Sequence, residues 1–412
     1  MGDLKVICEP RSCCGCMACV NSCTHNAILV KKDMLHFDVP VIDVDKCVNC
    51  GLCAKNCQVL NPIQKNEELP SNSYAIYAKD KGVHEQSASG GASAVFMHHI
   101  LEQGGVAYGV VMPDSKRVYH KKIESIKDIP LTQGSKYVQS EIGDTYKYVK
   151  QDLISGKKVL FTGTPCQIGG LKKFLHKQYP NLITVELVCH GVSSLGLLSD
   201  HLSSCLNEEN NNHLTITFRE KKHNEGVKYV TTVKDGNRIA YKNYNDCFIK
   251  SFELGLTLRE SCYTCPYTSP NRIADITIGD FWGLGQIADN SFDTANGVSG
   301  IIINTPKGVA FFNECQGSFN IQVRDFEEFV NGNGATKHSA TRVMFRNRFI
   351  QEYHNGNFTC VATKLLEKSL SFNKRLKTIH RYHLGSLYLM VRRCLHKMDF
   401  DSDYYNKQNG II

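Results

Sequence analysis

No stretch of this sequence carries the ~18 consecutive apolar residues that a membrane-spanning helix requires. Its opening residues, MGDLKVICEP, contain no apolar core of the kind found in a secretory leader. The reading is therefore a cytoplasmic chain without a transmembrane segment. The glycine fingerprint G-x-G-x-x-G is missing too, so a standard Rossmann dinucleotide site is not supported. Charge of one sign is in modest excess only: 48 Lys and Arg against 40 Asp and Glu give +8. Such a balance suits a solvated lysine-rich surface and offers no case for nucleic acid. Tryptophan occurs once, at Trp282.

Cysteine, by contrast, is abundant. Nineteen are present, ten of them within the first 57 residues. Cytosolic thiols stay reduced, so such a number points to metal ligands or catalytic groups rather than disulfides. Cys13-x2-Cys16-x2-Cys19-x3-Cys23 is repeated as Cys47-x2-Cys50-x2-Cys53-x3-Cys57. This is the bacterial ferredoxin spacing for two [4Fe–4S] clusters. Three thiolates of each run occupy one cubane and the fourth crosses to the other. Cys13, Cys16, Cys19 and Cys57 are expected to hold one cluster, and Cys47, Cys50, Cys53 and Cys23 the second. Zinc closes a site with four ligands and does not use this spacing. The proline that commonly follows the fourth cysteine is replaced by Thr24 and Gln58; Cys8 and Cys14 are read as non-ligands. Two such clusters wire electrons and do no chemistry themselves.

After a polar linker, residues 61–73, the pattern changes to alternating strands and helices. YAIYAK and VAYGVVM read as strands, and KVLFTG as a strand that runs into a helix through Gly163, Thr164, Pro165 and Cys166. LITVELVCHG ends another at Cys189-His190-Gly191, and GVSGIIINT is a further strand. Helices are expected after Gly91 and over about 142–154. Loops rich in small polar residues at strand C-termini mark an α/β domain with its site along that edge. Ser89, Gly90 and Gly91 precede a helix and offer backbone N–H groups to a phosphate, although ordinary capping would look the same. Gln133, Gly134, Ser135 and Lys136 form a polar loop. Cys262-x2-Cys265 is half a site; with Cys166 and Cys189 it would complete a [4Fe–4S] cluster or a zinc site. Cys166 also reads as a nucleophile served by His190, or as a small buried spacer. Cys205, Cys247, Cys315, Cys360 and Cys394 are read as structural.

Four stretches taken together, VLFTGTPCQIGGLKKFL, LVCHGVSS, CYTCPY and ADITIGDFWG, resemble the coenzyme F420 hydrogenase/dehydrogenase β-subunit family, which includes 7-hydroxymethyl chlorophyll a reductase. The resemblance extends from about residue 8 to 320. It implies an FAD-containing iron–sulfur oxidoreductase that exchanges single electrons with clusters and hydride with an organic substrate or a deazaflavin of the F420 type. On this likeness Ser89, Gly90 and Gly91 lie by the FAD phosphates. Gln133, Ser135, Lys136 and Tyr137 sit near the isoalloxazine, and Gly163, Thr164 and Pro165 beside it. A third cluster on Cys166, Cys189, Cys262 and Cys265 adjoins the flavin. Lys136 becomes the candidate catalytic group, and Asp280 and Trp282 shape the pocket, their plain alternatives being a turn aspartate and a core tryptophan.

The expected organisation is thus α/β: an α+β ferredoxin-type domain over 1–60, the linker, a flavin and iron–sulfur domain over 74–325, and a basic, mainly helical C-terminal extension over 326–412. A small-molecule substrate and a redox partner protein, a ferredoxin or a dehydrogenase or hydrogenase subunit, are the expected partners. The alternative is an electron-transfer subunit without a substrate of its own.

Overall fold

The computed structural model describes residues 4–206, 214–222, 226–243, 246–354 and 357–367. The N-terminal module is built on three antiparallel strands, β1 (Leu4–Val6), β2 (Ile28–Lys32) and β3 (Asp38–Asp43), in the order β1-β3-β2. Between and after them run the two cysteine loops, and their backbones repeat as their sequences do. Gly15 and Met17 in the first loop have φ of 64° and 59°; Asn49 and Gly51, 34 positions later, have 54° and 74°. Alternating left-handed residues turn successive N–H groups inward, the backbone geometry that lines iron–sulfur and phosphate sites.

Next, β4 (Asn72–Ala78) enters the large domain, followed by β5 (Val106–Asp114), β6 (Arg117–Ile123), β7 (Val159–Gly163) and β8 (Leu182–Leu187). An excursion then forms a separate antiparallel sheet of β9 (Leu214–Lys222), β10 (Gly226–Asp235) and β11 (Arg238–Asn243). The chain returns as β12 (Ile276–Asp280), β13 (Ser299–Ile303) and β14 (Phe319–Asp325). The main sheet has eight strands in the order β14-β4-β13-β12-β8-β7-β5-β6. Its centre, β12-β8-β7-β5, is parallel, and the flanking pairings are antiparallel. This is the expected α/β class. β7 and the first five residues of β8 are buried throughout, as a parallel strand covered on both faces must be.

One side of the sheet is packed by Ile76, Phe96, Leu160, Val185 and Ile301 around the helix Ala92–Glu102. The other buries Tyr108, Tyr146, Phe161, Ile168 and Leu171, and that core also contains Cys16, Met17 and Ala18 of the N-terminal module. The two domains therefore share apolar core. Linker residues are also tied down: Asn66 N–H donates to the Arg272 carbonyl at 3.1 Å and its Nδ2 to that of Asn304 at 3.2 Å.

Residues beyond 325 continue into the large body. The helix Phe326–Gly332 packs Phe326, Phe329 and Val330 on Phe281 and Ile302. Helices at Arg346–His354 and 358–367 close a further core over Leu197, Leu198 and Phe248. The basic stretch from 368 onward, with Cys394, lies outside the described residues. Among the described residues no helix is long and apolar enough to cross a membrane.

Candidate functional site

The C-terminal ends of β7, β8 and β12 open on a cavity of about 570 Å³, within the range of small-molecule and cofactor sites. Each wall has a local cause. At the first, the Ser87–Gly91 loop turns into the helix Ala92–Glu102, with Gly91 at φ 89° as its N-cap. Gly90 sits so close to the sheet that a Cβ there would lie 2.2 Å from the Ile76 carbonyl oxygen, and its N–H donates to Ser299 Oγ at 2.9 Å. This glycine stands behind the wall, while Ser89 and Gly91 form it.

A second wall is the loop Gln133–Ser140. Gln133 Nε2 donates to Ser87 Oγ at 2.9 Å and the Val83 carbonyl at 3.0 Å, fastening this loop to the first. Lys136 Nζ donates to the carbonyls of Thr132 and Gln133, both at 2.8 Å. Burial pulls its ammonium down to about 7. Ser135 and Tyr137 line the cavity, Tyr137 resting on Phe252 with ring centroids 4.9 Å apart.

The third wall follows β7. Gly163 and Thr164 face the cavity. Thr164 caps the helix Pro165–Leu175 through a capping box with Gln167, whose Oε1 accepts the Thr164 N–H at 3.0 Å. Pro165 is the first helical residue and is buried beneath the wall.

Opposite, Asp280 accepts two hydrogen bonds from Arg219 Nη1, at 2.9 and 3.1 Å, and the Arg219 guanidinium lies 5.9 Å from the Trp282 ring. Trp282 is 54% exposed, so it is a rim residue and not a core tryptophan. Two buried hydroxyl oxygens on the lining, Ser89 Oγ and Thr162 Oγ1, have no hydrogen-bond partner among the described residues. Buried polar atoms are ordinarily satisfied. These two, with the N-terminus of the helix Ala92–Glu102 on the same lining, fit a polar, phosphate-bearing ligand.

The cysteines gather in three sets. Cys13, Cys16, Cys19 and Cys57 surround one small void together with Cys8 and Cys14. Cys8 touches both Cys13 and Cys57, and that contact holds each of those thiols down at about 6. Cys23, Cys47 and Cys53 pack together beside Ile28 and Ile42, with Cys50 exposed at the surface. Backbone N–H groups already point at sulfur here: Ala27 N–H at Cys23 Sγ (3.3 Å) and Asn49 N–H at Cys47 Sγ (3.4 Å).

The third set is Cys166, Cys189, Cys262 and Cys265, drawn from the helix after β7, the end of β8 and the turn Glu260–Thr264. Their charges act on one another, and burial pushes Cys189 well up, Cys262 to about 12 and Cys265 to about 11. Thiols so placed are neutral until a metal displaces the proton. Among the described residues no three ligating side chains converge on one point, as a mononuclear ion needs. A cubane instead gives each thiolate its own iron. Cys189 also lines the cavity, so the inner thiol set and the cavity share a wall. His190, the base considered for a Cys166 nucleophile, is directed at the backbone of Phe252 and Glu253.

The first and third sets meet. Cys14 contacts the thiols of Cys16 and Cys166, and Gln58 Nε2 donates to Cys14 Sγ at 3.4 Å. Arg219, Gln58 and Arg259 form part of these sites without any mark in the sequence, each being a polar residue in a polar stretch.

Residues 156–328 match the family model for the C terminus of the coenzyme F420 hydrogenase/dehydrogenase beta subunit, and residues 12–60 match "4Fe-4S dicluster domain". Over residues 156–328 the chain thus resembles the coenzyme F420 hydrogenase/dehydrogenase β-subunit family, behind an N-terminal segment that matches a 4Fe-4S dicluster domain. Among curated proteins it is 23% identical over 332 residues to a coenzyme F420-dependent sulfite reductase of Methanocaldococcus jannaschii, covering 79% of this chain and 49% of that one. It is 32% identical over 69 residues to the ferredoxin-type protein NapF of Haemophilus influenzae, covering 16% of this chain and 39% of that one. The chain thus spans about half or less of the length of these relatives. Among solved structures, a chain of the F420-reducing [NiFe] hydrogenase complex from Methanosarcina barkeri aligns with a TM-score of 0.44 and 18% identity, covering 77% of this chain and 96% of that one.

Proposed function

We propose that this protein is an iron–sulfur flavoprotein that passes electrons between its ferredoxin-type clusters and FAD, and as hydride to or from an organic substrate or a deazaflavin of the coenzyme F420 type. Cys13, Cys16, Cys19 and Cys57 would hold the first cluster, Cys23, Cys47, Cys50 and Cys53 the second, and Cys166, Cys189, Cys262 and Cys265 a third. The flavin supplies the exchange between one-electron and hydride chemistry.

The chain's own residues orient and enclose it. Ser89 and Gly91 present hydroxyl and backbone N–H groups to the FAD phosphates, and Gly90, whose N–H is held by Ser299, fixes the loop from behind. Gln133, Ser135 and Tyr137 shape the ring side, and Gly163 and Thr164 face it, with Pro165 fixing the turn beneath. Lys136 would place its ammonium toward an anionic ring edge or substrate, released from carbonyls that it now serves. Asp280 and Trp282, with Arg219, bound the mouth through which a substrate enters.

One observation carries the reading: a cofactor-sized cavity, lined by two buried hydroxyls without a partner among the described residues, shares Cys189 with a set of four half-buried thiols. Flavin quantitation after anaerobic purification tests it. About one FAD per chain is expected, bound noncovalently as a cofactor held by the protein. Protein that retains its iron and takes up no flavin when given FAD would contradict it.

A second reading draws support from the coverage: the sulfite reductase relative is twice as long as the aligned region. On that reading the chain delivers electrons to a separate protein. Purified protein that reduces no small-molecule acceptor until a partner is added would favour it.

A further inference from the structure

Arg259 opens the turn that carries Cys262 and Cys265, yet its side chain leaves the large domain. Nε donates to the Cys13 carbonyl at 2.8 Å, Nη2 to the Asp38 carbonyl at 2.8 Å and Nη1 to Gln139 Oε1 at 2.9 Å. Gln139 Nε2 continues to the Cys14 carbonyl at 2.9 Å. The guanidinium lies 5.3 Å from the Phe37 ring centroid, and its other face is covered by Gly15. That position is left-handed (φ +64°), and a Cβ there would be 2.6 Å from the guanidinium, so only glycine leaves the space.

Arg259 is 4% exposed. A guanidinium stays protonated under all ordinary conditions, so this is a permanent positive charge in a dry place. Removing it from water is costly unless it is hydrogen-bonded and its charge is met. Arg259 touches both sets through the backbone: its Nε donates to the Cys13 carbonyl of the first set, and its own carbonyl accepts the Cys262 N–H of the inner set at 2.9 Å. A [4Fe–4S] cluster on four thiolates is an anion and gains one more negative charge on reduction. The cation therefore stands where two such anions would be, and favours the reduced state of both.

We propose that Arg259 is a positioning residue for electron transfer: it clamps the first ferredoxin loop onto the inner cysteine set and raises the reduction potentials of those two clusters together. The distal cluster, on Cys23, Cys47, Cys50 and Cys53, is left to its own surroundings. A charge shared by two neighbouring clusters moves both the same way and leaves the step between them unchanged. What it sets is the step from the distal cluster inward. This inference rests on the cluster assignments of the preceding section and is independent of the flavin.

The test is an EPR-monitored redox titration of anaerobically purified, full-length, iron-loaded protein, with iron and sulfide counted on the same sample. In Arg259→Gln two of three cluster potentials should fall while the third stays. In Arg259→Lys, which keeps the charge, those two should return toward wild type. Three unchanged potentials at full iron, or three that fall equally, would overturn the role of Arg259. If Arg259→Gln loses its iron, Arg259→His serves: two potentials should then vary with pH across the imidazole range and one should not. Three potentials without that dependence would again overturn it. Wild-type protein with only about eight iron atoms lacks the inner cluster and overturns both this inference and the assignment beneath it.

Discussion

Gln58, the residue after the last ferredoxin cysteine, donates through Nε2 to the Cys166 carbonyl at 2.8 Å. Its Oε1 accepts the Tyr267 hydroxyl, so one amide ties the N-terminal module to two of the cysteine-bearing turns of the large domain. The helix Pro165–Leu175 allows this because Gly169 faces Gln58 with no side chain: a Cβ would lie 2.3 Å from Gln58 Oε1 and 2.6 Å from Tyr267 Oη. Gly169→Ala should therefore destabilise by about 1–3 kcal/mol, the usual cost of overpacking a well-filled site. Chemical denaturation of the purified protein reads this directly, and an unchanged midpoint would show that the junction is loose.

Gly90→Ala separates the two cofactor classes. The added Cβ would press on the Ile76 carbonyl at 2.2 Å and the Ser299 backbone nitrogen at 2.7 Å, neither of which can swing aside as a flexible side chain would. The loop bearing Ser89 and Gly91 must shift, whereas the cysteine sets lie elsewhere. The expected product keeps wild-type iron and loses most of its flavin, both measurable on one sample by absorbance and iron assay. Full flavin content in this variant would place the phosphates away from this loop.

His201 and Asp246 are a buried ion pair, with Nε2 to Oδ2 at 2.6 Å and each side chain 1% exposed. Burial alone would push His201 down; the Asp246 carboxylate more than reverses this and raises it. A raised histidine contributes stability that is fully present below its unfolded value of about 6.5 and is lost progressively as pH climbs toward its folded value. Burial would push Asp246 up, but His201 overrides it and holds the carboxyl low. Asp246 therefore contributes above the ordinary carboxylate range and loses that contribution in acid. The pair should thus be worth most between about pH 5 and 6.5. Asp246→Asn, which leaves an uncompensated buried partner, should cost about 3–5 kcal/mol there and flatten stability above pH 7. Melting temperatures from pH 5 to 9 would show it, and parallel curves for the two proteins would contradict it.

Lys136 has the opposite sign. Burial lowers it to about 7, whereas the unfolded chain keeps its lysine near 10.5. Across that interval the unfolded state binds more protons, so stability of the flavin-free protein should rise with pH. Lys136→Met should remove that rise and weaken flavin or anionic-substrate binding at pH 7. Loss of neither would leave Lys136 as a brace for the loop whose carbonyls it binds.

Much of this is legible in sequence because it repeats or clusters. The eight ferredoxin cysteines declare their spacing, and the Gly, Ser and Thr loops at strand ends mark the edge where the cavity opens. Helix starts at Ala92 and Pro165 follow from Gly91 and from Thr164 with Pro165. Other elements are hidden for physical reasons. β6 and the β9–β11 sheet are polar and lysine-rich, lacking the apolar runs of β7 and β8. Arg219 lines the cavity from β9, a strand of the separate three-stranded sheet, which no local pattern in the sequence announces. The segment after residue 325 reads as a separate extension because its basic tail dominates the composition, while Phe326, Phe329 and Val330 join the core. Cys205 and Cys247, structural singles by sequence, both approach His201 Nδ1, at 3.8 and 3.5 Å, Cys205 from the next turn of the same helix and Cys247 from a separate helix 46 residues on.

The most direct test of the central claim, that an inner cluster joins the ferredoxin wire to the flavin cavity, is an iron and sulfide count on anaerobically purified wild-type protein and on Cys166→Ser. Three [4Fe–4S] clusters give about twelve iron atoms per chain in the wild type, and removing one gives about eight in the variant with the two ferredoxin clusters intact. Equal counts in the two proteins, whether near eight or near twelve, would contradict it.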